Sequence, residues 1–297
     1  MRTPALAALC CSLACAAAPP GARAPARLVL DGPPELVLPG LVSTPVTEVR
    51  LTQSPDGGRL LWGVIGFTGG PGGWEILESL RTPAGWSPPA PVSFDTRANE
   101  FDPSFAPDGS GVYFFSNRPG GLGGDDLWFA PLDRASGRYG AAEHLGPNVN
   151  SPGDEWAPVL SPDGTALLFA TDGRGGRGKH DLFVARRLPG GGWGPAENLG
   201  EPNGPDEDFD ATFLPGGDAI VYSSGVFDGQ VALYWAPRSA GGFGPRARLG
   251  PEVNGDAPDA LTNGPSVSEA EPGWLYFSTH RPGGAGRMDL WRVRYRR

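Results

Sequence analysis

The sequence predicts an all-β chain, a β-propeller of about five four-stranded blades closed by an N-terminal strand, with six blades as the alternative count. Three observations carry this. First, a Pro-Asp-Gly turn and its degenerate copies recur, anchored at Pro55, Pro107, Pro162, Pro215 and Glu269, with spacings of 52, 55, 53 and 54 residues. Second, each anchor is followed by two short aromatic and β-branched runs, and no helical period of useful length intervenes. Third, the fifth unit stops one strand short, and an unassigned strand-like segment precedes the first unit.

That segment, residues 28–42, reads as a lone fourth strand, which makes it the expected partner of the last unit. Pairing there closes the ring and leaves no sheet edge open for aggregation. In unit one, Leu60–Trp62 and Glu75–Leu77 form the second and third strands. Unit two is the clearest copy. Ala106-Pro107-Asp108-Gly109 suits a type I turn, since Pro107 pre-sets φ and Gly109 tolerates the left-handed conformation that ends a hairpin. Val112–Phe115 is apolar on both faces, as a strand buried on both sides should be, and Asp126–Ala130 starts the next strand. Units three, four and five repeat this with Leu167–Phe169 and Asp181–Ala185, Ile220–Tyr222 and Ala232–Trp235, and Leu275–Phe277 and Asp289–Trp291. An aromatic residue (Trp86, Tyr139, Trp193, Phe243) opens the linker to each short fourth strand.

The 297 residues carry a net charge of −9 and no basic stripe, which argues against nucleic acid and anionic membrane as partners. The 47 Gly and 34 Pro sit at regular intervals between apolar runs, so they mark turns rather than disorder. Residues 1–24 read as an export leader, followed by a single domain over 25–297. All three cysteines, Cys10, Cys11 and Cys15, lie in that leader, so the domain has neither a disulfide framework nor a thiolate metal site. Ser12-Leu13-Ala14-Cys15 resembles a bacterial lipoprotein cleavage box with Ser12 where Leu is usual. Lipidation at Cys15 and plain signal cleavage are both open. No segment after the leader is apolar enough to span a membrane.

The units resemble the TolB-type, WD-repeat-like β-propeller repeat of bacterial exported proteins. The matching residues are Glu100 to Gly109, Tyr113 to Gly121 with Asp126-Leu127, Asp154 to Gly164 with Asp181-Leu182, and Ser278 to Gly284 with Asp289-Leu290. The resemblance implies a propeller in a periplasmic, outer-membrane-associated or secreted setting. It implies little about activity, since one repeat serves many scaffolds.

Candidate sites follow from the repeat. Seven residues before each anchor stand Glu48, Glu100, Glu155 and Asp208, with Thr262 in unit five. This acidic ring is expected at one channel mouth. Its recurrence in four units favours a structural role, because a catalytic role usually belongs to one residue. Its functional alternative is a glycosidase carboxylate pair, held about 5–5.5 Å or 6.5–9.5 Å apart. Arg118 with Asp126, Arg174 with Asp181, and Arg281 with Asp289 are expected to pair across the second turn. The acidic run from Asp206 to Asp210 matches no calcium loop. His144, His180 and His280 occupy different units and lack metal spacing. No Gly-x-Ser-x-Gly elbow, His-Glu-x-x-His or phosphate loop is present. The expected function is an exported, non-enzymatic scaffold binding a protein or glycan at its loop face or channel, without cofactor or metal. A propeller glycosidase is the alternative.

Overall fold

A computed structural model describes residues 27–297. The leader and Cys15 lie outside the described residues. Five antiparallel sheets follow one another, and the described residues contain no helix. The innermost strands are Thr47–Gln53, Glu100–Phe105, Glu155–Leu160, Glu207–Phe213 and Thr262–Val267. Each leads through its anchored turn into a second strand and then a third, as in Gly111–Ser116 and Asp126–Asp133 of the second blade. The expected glycine geometry holds at Gly109, where φ is 68° and the amide donates to the Ala106 carbonyl at 2.8 Å.

Ring closure is as the sequence predicts. Val29–Leu36 is the outer strand of the fifth blade, antiparallel to Asp289–Arg296, with Val29 opposite Arg296 and Leu36 opposite Trp291. The strand is shorter than the 28–42 span. Pro33 and Pro34 lie inside a register shift between Asp31 and Glu35, and residues 37–43 turn inward to bury Val37 and Val42. Leu28, Leu30 and Leu36 pack on the core formed by Leu275, Phe277, Trp291 and Val293. Apolar clusters fill the spaces between neighbouring blades. Leu61 and Ile76 meet Phe105 and Phe114 between blades one and two, and Leu51 and Trp62 meet Trp274 and Tyr276 where the ring closes.

A second repeated device ties each linker to the blade before it. Asn150, Asn203 and Asn254 each accept the amide of a third-strand leucine (Leu127, Leu182, Leu233) and donate Nδ2–H to that residue's carbonyl, all at 2.7–3.0 Å. Ser43 donates to the Leu290 carbonyl at the corresponding point. In the first blade the post is held by Asp95, whose Oδ2 accepts the Ile76 amide at 3.2 Å and whose buried Oδ1 has no partner.

Candidate functional site

The acidic ring is fully buried, and each carboxylate turns back onto the residue four positions upstream. Glu100 accepts Thr96 N–H at 2.9 Å and Thr96 Oγ1–H at 2.7 Å. Glu155 accepts Ser151 N–H at 2.8 Å, and Asp208 accepts Gly204 N–H at 2.6 Å. Glu48 takes both the amide and the hydroxyl of Thr44. Further donors are Ser116 and Arg118 to Glu100, Thr171 to Glu155, and Arg246 to Asp208. Thr262 bonds the Val253 carbonyl and Thr279 instead. These carboxylates therefore bind the start of each inner strand to its linker rather than facing a channel mouth. Burial pushes Glu48 up to about 7 and Asp208 to about 6, and raises Glu155, against the pull of the hydroxyl and amide donors.

The expected Arg–Asp pairs do not form. Asp126, Asp181 and Asp289 accept consecutive amides of their own Gly-rich turns: Leu122 and Gly123, Arg177 and Gly178, Ala285 and Gly286, all at 2.8–3.1 Å. At Gly121 a side chain would collide with the Asp126 carboxylate, so the turn requires glycine there. With the carboxylates engaged, the arginines reach the linkers. Arg118 bonds Phe94 O and Glu100, Arg174 bonds the carbonyls of Pro147, Val149 and Asn150, and Arg281 those of Glu252 and Val253. Arg118 and Arg281 also lie over Trp128 and Trp291 at 5.4 Å, so these guanidiniums are fixed from two sides.

The residues that break the five-fold pattern stand two positions after the ring. Every inner strand shifts register there, and the residue at that point has positive φ: Arg50 (52°), Asp102 (50°), Ala157 (51°), Asp210 (50°) and Gly264 (59°). A left-handed non-glycine residue costs roughly 1–2 kcal/mol, so four of these five positions are held against a local preference. The bulges turn their side chains across the axis. Arg50 donates Nη2–H to the Ala211 carbonyl at 3.0 Å, and Asp210 accepts the Gly264 amide at 3.0 Å. Asp102 and Asp210 lie side by side there. Burial raises both acids, Asp102 furthest because Asp210 lies beside it, while Arg50 opposes the rise. The Arg50 guanidinium offsets the negative charge of both acids. All three are at most 5% exposed, so the axis is filled with its own charges. The sequence hides this triad because its members share a repeat slot but not a residue type.

The five anchors, Pro55, Pro107, Pro162, Pro215 and Glu269, ring the turn-side mouth, where the cavity measures only about 90 Å³. A far larger groove of about 950 Å³ opens beside it between blades two and three. Tyr113, Phe129 and Trp193 line it, with Tyr113 and Phe129 centroids 4.7 Å apart and Arg187 4.5 Å over Trp193. Arg187 also donates to Tyr113 Oη at 3.2 Å. Exposed Asp108, Glu143, Asp163 and Glu269 surround this single arginine. Hydrogen bonds from Ser161 and Thr165 hold Asp163 down to about 2, and Ser110 lowers Asp108, so both are ionised at neutral pH. Trp274 is buried beneath Arg292 and Arg294. Trp156 stays half-buried and stacks on His180 at 3.8 Å.

No protein-family model matches the chain, and no curated protein matches it in sequence. Solved structures do match in fold. A putative TolB from Agrobacterium tumefaciens is 18% identical with a TM-score of 0.51, over 84% of each chain. TolB from Acinetobacter baumannii is 15% identical with a TM-score of 0.50, over 84% of this chain, which spans only 56% of that protein. A thermostable family-43 glycoside hydrolase is 11% identical with a TM-score of 0.55, over 86% of this chain and 91% of the other. At these identities the likeness is one of fold, and it extends to TolB proteins and to a glycoside hydrolase alike. The chain is a five-bladed β-propeller, the fold it shares with these structures.

Proposed function

We propose that the protein is an exported, non-enzymatic binding module that takes a cationic, extended polypeptide segment in the groove between blades two and three. The observation that carries this is the contrast between axis and groove. At the axis, where a hydrolase of this shape would need two separated and reachable carboxylates, Asp102 and Asp210 touch each other, are buried and are balanced by Arg50. The groove is open, aromatic on its walls and negative at its rim. Those features suit a chain segment whose apolar groups lie on Tyr113, Phe129 and Trp193 while Lys or Arg side chains meet Asp108 and Asp163. The leader-like segment 1–24 and the TolB-type fold support export. The intact mass of the exported protein distinguishes lipidation at Cys15 from plain cleavage.

The test is a titration of the mature protein, read by tryptophan fluorescence, with a Lys-Pro repeat peptide and its Glu-Pro counterpart. The cationic peptide should bind, weaken with added salt, and weaken further in an Asp108→Asn, Asp163→Asn variant. Equal binding of both peptides, or of neither, overturns the groove assignment. Turnover of arabinan or aryl glycosides that disappears in Asp102→Asn would establish the glycosidase alternative instead.

A further inference from the structure

At the opposite ends of the strands, away from the groove, three side chains meet that the sequence keeps apart. Asp154 precedes the innermost strand of the third blade, Asp172 follows its second strand, and His180 precedes its third. Antiparallel pairing places Glu155 opposite Thr171 and Thr171 opposite Asp181, so the three residues just beyond these pairs fall in one row. One oxygen from each carboxylate and one imidazole nitrogen lie within 4.8 Å of one another.

The histidine is built into this place. It is fully buried, its ring stacks on Trp156 at 3.8 Å, and Nδ1 lies 2.8 Å from Glu207 Oε2. A carboxylate on Nδ1 fixes the proton there and leaves the Nε2 lone pair for another partner. Nε2 is buried and has no hydrogen-bond partner, a costly condition for a ring nitrogen. The two aspartates are oriented in the same manner. Asp172 Oδ1 accepts the Asp154 amide at 2.8 Å, and Asp154 Oδ1 accepts the Asp125 amide at 2.9 Å. Both carboxylates remain half-exposed, so the cluster has a route to solvent.

We propose that His180 Nε2, Asp154 and Asp172 bind a first-row divalent cation, with Glu207 as the outer carboxylate that positions the histidine. One nitrogen and two carboxylates suit Zn²⁺ or Mn²⁺ better than Ca²⁺ or Mg²⁺, which favour all-oxygen sites. Bond lengths near 2.0–2.2 Å require the aspartates to draw inward slightly, within reach of a side-chain rotation. The cation would tie together the three strands of blade three and, through Glu207, the edge of blade four.

The test uses tag-free mature protein, stripped with chelator and titrated with ZnCl₂ by calorimetry, with melting temperature as a second readout. Expected is stoichiometric binding, a chelator-reversible rise in melting temperature, and quenching of Trp156. Asp172→Asn and Asp154→Asn, both at half-exposed positions, should fold and weaken Zn²⁺ binding. Glu207→Gln should weaken it by about 10–100-fold without removing a ligand. Absence of stoichiometric binding overturns the proposal. Binding that is unchanged in Asp172→Asn and Asp154→Asn also overturns it, since the ion would then sit elsewhere.

Discussion

Asp95 occupies a post that asparagine holds in three other blades, and replacing it should stabilise the protein. Burial, reinforced by the nearby Glu100 and Glu75 charges, pushes its carboxyl from an ordinary 3.8 up to about 9. The folded protein therefore keeps a proton on Asp95 at pH 7 that the unfolded chain releases. Between about pH 4 and pH 9 the native state binds the extra proton, so its stability falls as pH rises through that window. At 1.36 kcal/mol per pH unit, the roughly three units between 3.8 and neutrality set a ceiling of about 4 kcal/mol on the cost at pH 7. Asp95→Asn removes this cost and supplies the missing Nδ2–H donor to the Ile76 carbonyl, as Asn150 does for Leu127, a bond worth about 1 kcal/mol. The expected gain is about 1 to 4 kcal/mol at pH 7. Urea denaturation followed by tryptophan fluorescence at pH 5 and pH 8 measures it. The variant's advantage should widen toward pH 8. An advantage that stays flat with pH, or a variant less stable than the parent at pH 8, would refute the reasoning.

Other perturbations probe the closure, the axis and the ring. Deleting residues 28–42 exposes the edge of Asp289–Arg296 and the core beneath it, so a collapse in melting temperature with aggregation by light scattering is expected. An unchanged melting temperature contradicts closure. Arg50→Met removes the buried cation that offsets Asp102 and Asp210 and should cost about 3–5 kcal/mol by denaturant titration. Adding Asp102→Asn and Asp210→Asn should recover most of that loss. Glu100→Gln weakens the charge-assisted bond to Arg118 and should cost about 1–3 kcal/mol. Stability equal to the parent's would remove the structural role of the ring.

Much of the fold was legible in the sequence because it is written in local chemistry repeated five times. The turn anchored at Pro107 and ending at Gly109 depends on φ preferences of adjacent residues, and the alternation of apolar strands around it needs no distant partner. Even closure could be read, since a spare strand before the first unit and a missing one after the last have one economical solution. The site was legible only in part. Glu48, Glu100, Glu155 and Asp208 were found by their period, but their direction was not, because the partners four residues upstream reveal themselves only once the linker folds back. The Arg–Asp pairing failed for a related reason. Repetition shows that Arg118 and Asp126 belong to one device, yet the Asp126 oxygens are taken by the amides of its own turn.

What the sequence alone determined is therefore the blade, its strands and its turns, with five copies expected and six left open. What the tertiary structure decided is which distant residues meet, across the ring axis and at the ends of paired strands. Arg50, Asp102 and Asp210 converge because a ring of inner strands with left-handed bulges aims equivalent positions at one axis. Asp154, Asp172 and His180 converge because antiparallel pairing sets the ends of three strands side by side. Neither set has a spacing that marks it in the chain, since each contact joins residues whose distance is fixed by register and ring geometry rather than by sequence.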